Sequence, residues 1–457
     1  MLTTMARKIW DSPELGLHES SSAAVLCEPL REEGFELETG IGDMPTAFTA
    51  TYGDGSPTIG ILGEYDALPG LSQRAVAERD SVEEGDPGHG CGHNLFGVAG
   101  VGAAIAIKRA INRGDIDGTI TFFGCPAEET LVGKVFMARE GVFDELDVAV
   151  TWHPWDTTTP RLSSTLAMDS VQFTYDGISA HAGASPEDGR SALDAVSLLN
   201  SGVEYAREHL PDTTRIHYVI TDGGQAPNVV PSSATVWYYV RAPTRTEVEF
   251  ASEWIRDIAD AAATMTRTEV TRRYVTGCWD YLPNRTVTTA IWDTMQDLGP
   301  INYDSEAQAF AAEVQETLSD EQVESTGETV PDDHAEQMRE TPLYGDPIPA
   351  YDDGEIGGGS TDVGDVSWIV PTGQFRAATW PVGTPAHSWQ AVAVNADVGI
   401  EGGMYAAKVL AGTVVRLLKD PSLVERAQQE FTKATGERSY ESALPSTATP
   451  PFDVTSG

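Results

Sequence analysis

Gly118-Thr119-Ile120-Thr121-Phe122-Phe123-Gly124 is a short apolar run, rich in β-branched residues and bounded by glycines. It reads as a strand. Pro126-Ala127-Glu128-Glu129 follows directly. Upstream, Thr58-Ile59-Gly60-Ile61-Leu62-Gly63-Glu64 has the same character, and a helical segment from Val98 to Asn112 separates the two. Strands alternating with helices predict an α/β domain, a mixed, mostly parallel sheet flanked by helices. Ligands of such sheets bind beyond the carboxyl ends of the strands. Glu128 and Glu129 fall there. Two adjacent carboxylates can divide labour, one binding metal and the other moving protons. A helix N-terminus enriched in acid by its dipole would look the same.

Outward from this core, the N-terminal segment reads as helix from Thr3 to about Glu33, broken near Ser12-Pro13. The pattern changes after Leu162. Val171 to Tyr175 alternates like a half-exposed strand, and a helix (Ala192 to Glu208), two strands (Arg215 to Thr221, Ala234 to Arg241) and a helix (Thr246 to Thr264) follow. This is an α+β module inserted into the first domain. The expected division is 1–164 and 278–435 for the α/β domain, 165–277 for the insert, and 436–457 for a loose tail rich in Ser, Thr and Pro. Asp304 to Glu355 is acidic with a single Arg, and reads as helix plus solvated loops.

The 457 residues include 40% hydrophobic and 8% aromatic side chains, enough to build a core and to exclude wholesale disorder. No apolar run approaches the roughly 18 residues of a membrane span, and Met1 to Trp10 lacks the apolar stretch of a secretory leader. Seventy acidic against 29 basic residues give a net charge of −41, which excludes an electrostatic footprint for nucleic acid or an anionic membrane. Such self-repulsion is relieved by salt, and points to a salt-adapted source. Cys27, Cys91, Cys125 and Cys278 form no C-x-x-C pair and fit a reducing cytoplasm, where a Cys among histidines is a ligand or nucleophile before it is a bridge partner.

Three further clusters carry chemistry. His89-Gly90-Cys91-Gly92-His93-Asn94 sets a thiolate and an imidazole two residues apart, both able to reach one metal ion, with glycines that let the backbone turn tightly. A glycine turn with incidental histidine is the plain alternative. Trp152-His153-Pro154-Trp155 puts a His just past the strand Val148 to Thr151, although a lone His is more often structural. Thr384-Pro385-Ala386-His387-Ser388 comes after Gly357-Gly358-Gly359-Ser360-Thr361-Asp362. That glycine run lacks the Lys of a phosphate loop. It is expected to line a site by close approach, with Ser360 and Thr361 beside a substrate. Together Cys91, His93, Glu129, His153 and His387 offer five N, S and O ligands, and Glu128 is a spare carboxylate. A two-metal hydrolytic site uses such a set. Cys91 as a nucleophile with His93 as base lacks an evident third group to orient it.

Four motifs resemble the binuclear metallo-aminoacylase and carboxypeptidase family: Gly88-His89-Gly90-Cys91-Gly92-His93, Pro126-Ala127-Glu128-Glu129, Ser179-Ala180-His181-Ala182-Gly183 and Gly359-Ser360-Thr361-Asp362. Gly63-Glu64-Tyr65-Asp66-Ala67-Leu68-Pro69-Gly70 and Thr361-Asp362-Val363-Gly364-Asp365-Val366-Ser367-Trp368 are similar to its p-aminobenzoyl-glutamate hydrolase branch, as is Asn94 where many relatives carry Asp. The match runs in order from about residue 5 to residue 415. The resemblance implies a catalytic domain that binds two divalent metals (zinc or manganese, with cobalt or nickel able to replace them). It implies that the insert is a lid that also dimerises. By position Cys91, His93, Glu129, His153 and His387 are the ligands, Glu128 is the general base and then acid, and Asp66 supports the site from behind. His181 would reach the partner subunit's site and stabilise a tetrahedral intermediate. Asn228 and Arg241 would contact substrate; otherwise they are a turn cap and a surface ion pair. The implied reaction is metal-dependent hydrolysis of the amide in N-acyl or N-aroyl amino acids or capped dipeptides, by a cytoplasmic homodimer with room for a second, different subunit. A non-catalytic dimer that binds amino-acid conjugates is the alternative, and the intact Glu128-Glu129 pair argues against it.

Overall fold

The computed structural model describes residues 1–455. Its strands are β1 (Glu36–Thr39), β2 (Phe48–Tyr52), β3 (Thr58–Glu64), β4 (Thr119–Cys125), β5 (Val148–Trp155), β6 (Thr159–Arg161), β7 (Ala167–Asp176), β8 (Arg215–Asp222), β9 (Ser233–Ala242), β10 (Glu269–Cys278) and β11 (Thr372–Ala378). They form two sheets. The first has seven strands in the order β1-β2-β4-β3-β5-β11-β6. Its centre, β4-β3-β5-β11, is parallel, and the edge pairings β1-β2, β2-β4 and β11-β6 are antiparallel. The α/β reading with a mixed sheet therefore holds, with parallel strands confined to the middle.

Both faces of this sheet are covered, as a parallel centre requires. One face carries helices Leu2–Asp11, Ser20–Glu32, His93–Asn112, Arg285–Leu298 and Gly399–Lys419 around Ile61, Phe122, Trp152 and Phe375. The other carries Gly133–Arg139 and Val363–Ser367 around Leu62, Phe123, Phe136 and Val366. Helix His93–Asn112 lies close on β3 because Gly97 has no side chain: a Cβ there would come 2.8 Å from the Glu64 carbonyl oxygen. This helix is long and apolar enough to cross a membrane, against the expectation of no such run. Yet 72% of its apolar window is buried inside the molecule, because it packs between the sheet and helix Gly399–Lys419.

The second sheet is antiparallel, in the order β10-β7-β9-β8. Strand β9 alternates strictly: Ala234, Val236, Tyr238, Val240 and Ala242 are buried against helices Ala192–Arg207 and Arg245–Thr266. A capping box at Thr244 and Glu247 starts the second helix. Strand β8 is an edge, and Tyr218, Val219 and Ile220 on it are 40%, 54% and 42% exposed. The chain enters this module after β6 and returns after β10, so the module is an insertion.

Two expectations are corrected. The acidic stretch is not only solvated surface. Helices Asp320–Thr329 and Asp332–Met338 enclose a small core of Val330, Ala335, Met338, Tyr344, Ile348 and Val382, and Val314 of helix Ser305–Gln315 packs with Trp380, Ala391 and Val394. The C-terminal stretch read as a loose tail is anchored to two helices of the first domain and to β10 and the residue after it. The Tyr440 hydroxyl donates to Asp365 (2.8 Å), Trp279 Nε1 to the Glu441 carbonyl (2.9 Å) and Arg139 to the Ala448 carbonyl (2.7 Å), while Arg273 pairs with Asp453 (2.5 Å). Its composition hides this because the anchors are backbone carbonyls and single side chains.

Candidate metal centre

Four neighbouring parallel strands end on the same edge and deliver the site. Strand β3 ends at Glu64, with Asp66 just beyond. Strand β4 ends at Cys125 and is followed by Glu128 and Glu129. His153 lies near the end of β5, and the loop after β11 carries His387. Cys91 and His93 stand at the start of helix His93–Asn112, entered through Gly92 at φ 79°. Local backbone conformations aim these groups. Ala127 has φ 54°, a left-handed value that costs a residue with a Cβ. Its N–H is fixed by Glu19 Oε1 at 2.8 Å, and the same buried carboxylate accepts from Leu17 N (2.9 Å) and Thr46 Oγ1 (2.9 Å).

The five expected ligands come together. Cys91 Sγ is 3.4 Å from His153 Nε2 and 3.7 Å from His387 Nε2. His387 Nε2 is 3.2 Å from Glu129 Oε2. Cys91 is thus shared by two groups whose donor atoms lie within 4.8 Å of one another, Cys91 with His93 and His153, and Cys91 with Glu129 and His387. The outer ring nitrogens are taken: His93 Nδ1 meets Asp66 Oδ1 at 2.8 Å and His153 Nδ1 the Pro154 carbonyl at 2.6 Å. His153 then donates through Nδ1 and leaves its Nε2 lone pair facing the cluster, the arrangement of a metal-ligating imidazole, while His93 Nε2 faces Glu64 Oε2 at 3.2 Å. Asp66 also accepts Glu129 N–H at 2.9 Å, so it orients two ligands from behind.

The electrostatics call for cations. Burial, with Glu129 beside it, lifts the Cys91 thiol well above its ordinary pKa. Burial and neighbouring His93 drive His153 far below its usual value. Burial opposes charge on His93, but Asp66 outweighs it and holds that imidazole well above its ordinary value. Buried Glu129 Oε1 has no hydrogen-bond partner, and Glu64 Oε2 and His93 Nε2 face only each other, at 3.2 Å. An orphaned buried acceptor and crowded buried carboxylates are costly alone; a divalent ion would relieve both and let the thiol ionise.

Glu128 lies apart from Glu129, in a third group with Glu64 and His93. Thr361 Oγ1 donates to its Oε1 at 2.8 Å. Burial, then the Glu64 and Asp362 charges, raise its pKa well above the carboxylate range, against Lys134. Sequence reasoning gave no role to Glu64, Lys134, Asp362 or Glu19. Lys134 is fully buried and pairs with Glu64 (2.7 Å) and Asp362 (2.6 Å). A carboxylate closing an apolar strand was the available signal for Glu64; Lys134 had none. His89 and Asn94 turn away, to the Ile9 carbonyl (3.2 Å) and the Asn395 carbonyl (3.0 Å).

The insert's residues stand elsewhere. His181 and Asn228 are exposed on adjoining loops, joined by Ala182 N–H to the Asn228 carbonyl at 3.0 Å. Among the described residues, no hydrogen bond, ion pair or ring contact links either, or Arg241, to the cluster. His181 Nδ1 accepts from Gly183 and Ala184 N–H, both 3.1 Å, which leaves its proton on Nε2, free to donate outward. Arg241 stacks near Tyr239 (5.6 Å) with Nε unpartnered, and Ser360 Oγ is likewise unpartnered.

A two-domain fold with paired ligand groups at the carboxyl ends of parallel strands defines a metallohydrolase-like architecture. Residues 167–265 match the peptidase dimerisation domain of the M20 group. Over 458 residues the chain is 42% identical to one of the subunits of p-aminobenzoyl-glutamate hydrolase of Escherichia coli (strain K12), covering 98% of this chain and 95% of that protein. It is 28% identical to the Xaa-Arg dipeptidase of Mus musculus, covering 94% and 88%. A dinuclear metal binding peptidase from the M20 family of Bacillus subtilis shares the fold, with TM-score 0.56 and 18% identity over 92% of this chain and 98% of that one. The chain belongs to the M20 peptidase family.

Proposed function

We propose that this protein is a metal-dependent amidohydrolase. Its substrates are N-acyl or N-aroyl amino acids and capped dipeptides of the p-aminobenzoyl-glutamate type. The observation that carries the reading is the separation of two sequence-adjacent carboxylates into different duties. Glu129 sits on His387 in a ligand group, while Glu128 is buried opposite His93 and held by Thr361.

Cys91, His93, Glu129, His153 and His387 would hold two divalent ions, zinc or manganese by donor chemistry, with cobalt or nickel able to replace them. When bound, these supply the Lewis acidity that acidifies water and polarises an amide carbonyl. The Thr361 hydroxyl occupies Glu128 Oε1, so Oε2 is the oxygen left to take a proton from the attacking water. The same carboxyl returns it to the departing amine. The Nε2 proton of His181 is the donor for the developing oxyanion. Because His181 is exposed and remote from its own cluster, it serves the site of a second copy docked through the insert. Asn228 and Arg241, with Ser360 and Thr361, line the substrate's path, and Arg241 takes its carboxylate. The working form is then a cytoplasmic homodimer. Similarity to two different subunits of one hydrolase leaves room for a second, unlike subunit.

The test is hydrolysis of p-aminobenzoyl-glutamate beside a panel of N-acetyl amino acids, in high salt, with added manganese or zinc and a chelator control. Metal-dependent release of glutamate is expected. Turnover that survives chelation overturns the metal reading. Binding without turnover of any compound, with or without added subunits, overturns the enzyme reading.

A further inference from the structure

Glu19 is a carboxylate without exposed surface, and it stands at the N-cap of helix Ser20–Glu32. An acid there ordinarily accepts from the first turn of its own helix. Glu14 takes that duty instead, with Ser21 N–H at 3.0 Å and Ser22 N–H at 2.8 Å. The Glu19 side chain makes no capping bond and turns inward. Its Oε1 accepts from Leu17 N–H (2.9 Å) and from Ala127 N–H (2.8 Å). Both donors belong to residues with left-handed backbones, at φ 66° and 54°. Ala127 is the residue before Glu128. On the other side of Glu128, Asp66 Oδ2 holds the Glu129 N–H at 2.9 Å. Glu128 thus lies between two peptide N–H groups, each fixed by a buried carboxylate.

The segment from Glu14 to Glu19 touches both loops that carry the centre. Ala67, next to Asp66, donates its N–H to the Glu14 carbonyl at 2.8 Å and bridges to Leu15. Gly16 lies flat against Ala127: a Cβ there would come 2.9 Å from both Cα and Cβ of that residue. Thr46 donates to Glu19 Oε2 at 2.9 Å, and its carbonyl accepts the hydroxyl of Tyr65, between Glu64 and Asp66, at 2.6 Å. A left-handed residue with a Cβ persists where its surroundings impose the conformation. The turn Glu128–Thr130 has one at each end, Ala127 and Leu131. Leu131 is tied within the turn, to the Glu128 carbonyl at 2.7 Å, whereas Ala127 N–H is tied from outside, by Glu19. Burial, then the Asp66 charge, raise the Glu19 pKa to about 8. Near neutral pH it is mostly an uncharged acid, so what it supplies to Ala127 is a placed acceptor.

We propose that Glu19 is a positioning residue: through the Ala127 N–H it sets the turn that sends Glu128 and Glu129 to different duties. This role rests on the amidohydrolase reading; zinc affinity tests it independently of turnover. Zinc binding to the metal-free full-length chain is measured by competition with a chromophoric chelator, well below the melting temperature, beside kcat and KM for p-aminobenzoyl-glutamate. E19A removes the acceptor, and should weaken zinc binding and lower kcat by about 10–100-fold each, with KM little changed. E19Q keeps an oxygen for the two N–H groups and offers an amide to Thr46, so it should hold both quantities close to the parent. Should E19A not fold, G16A takes its place: it pushes on Ala127 from the opposite side and should lower both quantities in the same sense. A folded variant with a lowered melting temperature but parental zinc affinity and kcat overturns the role and leaves Glu19 a structural residue. E19Q as damaged as E19A overturns it too, because charge rather than the grip on Ala127 would then matter. If the parent turns nothing over, the hydrolase reading fails, while a zinc affinity weakened in E19A and restored in E19Q still supports the positioning role.

Discussion

Lys134 has no exposed surface, and its ammonium lies between Glu64 and Asp362. Removing it leaves two buried carboxylates facing Glu128 with no counter-charge. Breaking a buried ion group from one side costs about 3–5 kcal/mol. Lys134→Met should therefore lower unfolding free energy by that order in denaturant melts; a change below about 0.5 kcal/mol would show that the ammonium is dispensable. Glu128→Gln probes the neighbouring position with almost no change of shape. The amide can still accept from Thr361 but cannot carry a proton between water and amine. Turnover should fall by about 10²–10⁴-fold while metal per chain, read by plasma emission, is unchanged. Wild-type turnover in that variant would move the general base to another residue.

At the scale of elements, the strand-then-ligand pattern was legible where a strand ends a few residues before its motif. Glu128 and Glu129 after β4 follow that rule; His153, expected just past a strand, lies inside β5, which runs on to Trp155, and Cys91 and His93 stand at the start of a helix rather than just past a strand. Lys134 was not legible: in the short helix Gly133–Arg139 a lysine reads as solvent-facing, and only the sheet above it makes it interior. Glu19 reads as an ordinary acid before helix Ser20–Glu32, because its partner Ala127 is remote in sequence. The C-terminal staple was hidden in the same way, since Asp365 and Tyr440 meet only in space. Burial lifts the pKa of the Asp365 carboxyl to about 7, against hydrogen bonds from Tyr440 and Trp279 N–H. Its folded pKa is thus above the unfolded value near 3.8, so the stability it contributes is present below pH 4 and is lost as pH rises through 7. Asp365→Asn has no such titration. Its unfolding free energy, compared with the parent from pH 4 to pH 8, should lack that part of the alkaline decline; parallel curves would mean the carboxyl is ionised in the fold throughout.

For the whole molecule, the net charge of −41 makes salt a structural variable. The Debye length falls from about 10 Å at 0.1 M to about 3 Å at 1 M, so repulsion between surface carboxylates fades across that range. The melting temperature should climb steadily with KCl well past 1 M, and a plateau near 0.15 M would refute salt adaptation. The proposed dimer would pair through the exposed apolar edge of β8, since an unpaired edge is a template for a second strand. Val219→Lys should shift the sedimentation coefficient toward a monomer and reduce turnover in parallel, because His181 would lose its site. A monomer with full turnover would return His181 to a bystander.

The insertion has a further consequence for how the molecule is made. On the ribosome, β5 emerges with Trp152 long before Thr372 begins the strand that will cover its flank. Between them the antiparallel module is synthesised in full, from Ala167 to Cys278. The nascent chain must therefore carry an open hydrophobic sheet edge while a complete, self-sufficient module folds beside it. The group of Cys91, Glu129 and His387 is complete only when His387 has left the exit tunnel, so on the proposed reading loading of that group would belong to the last moments of synthesis or after.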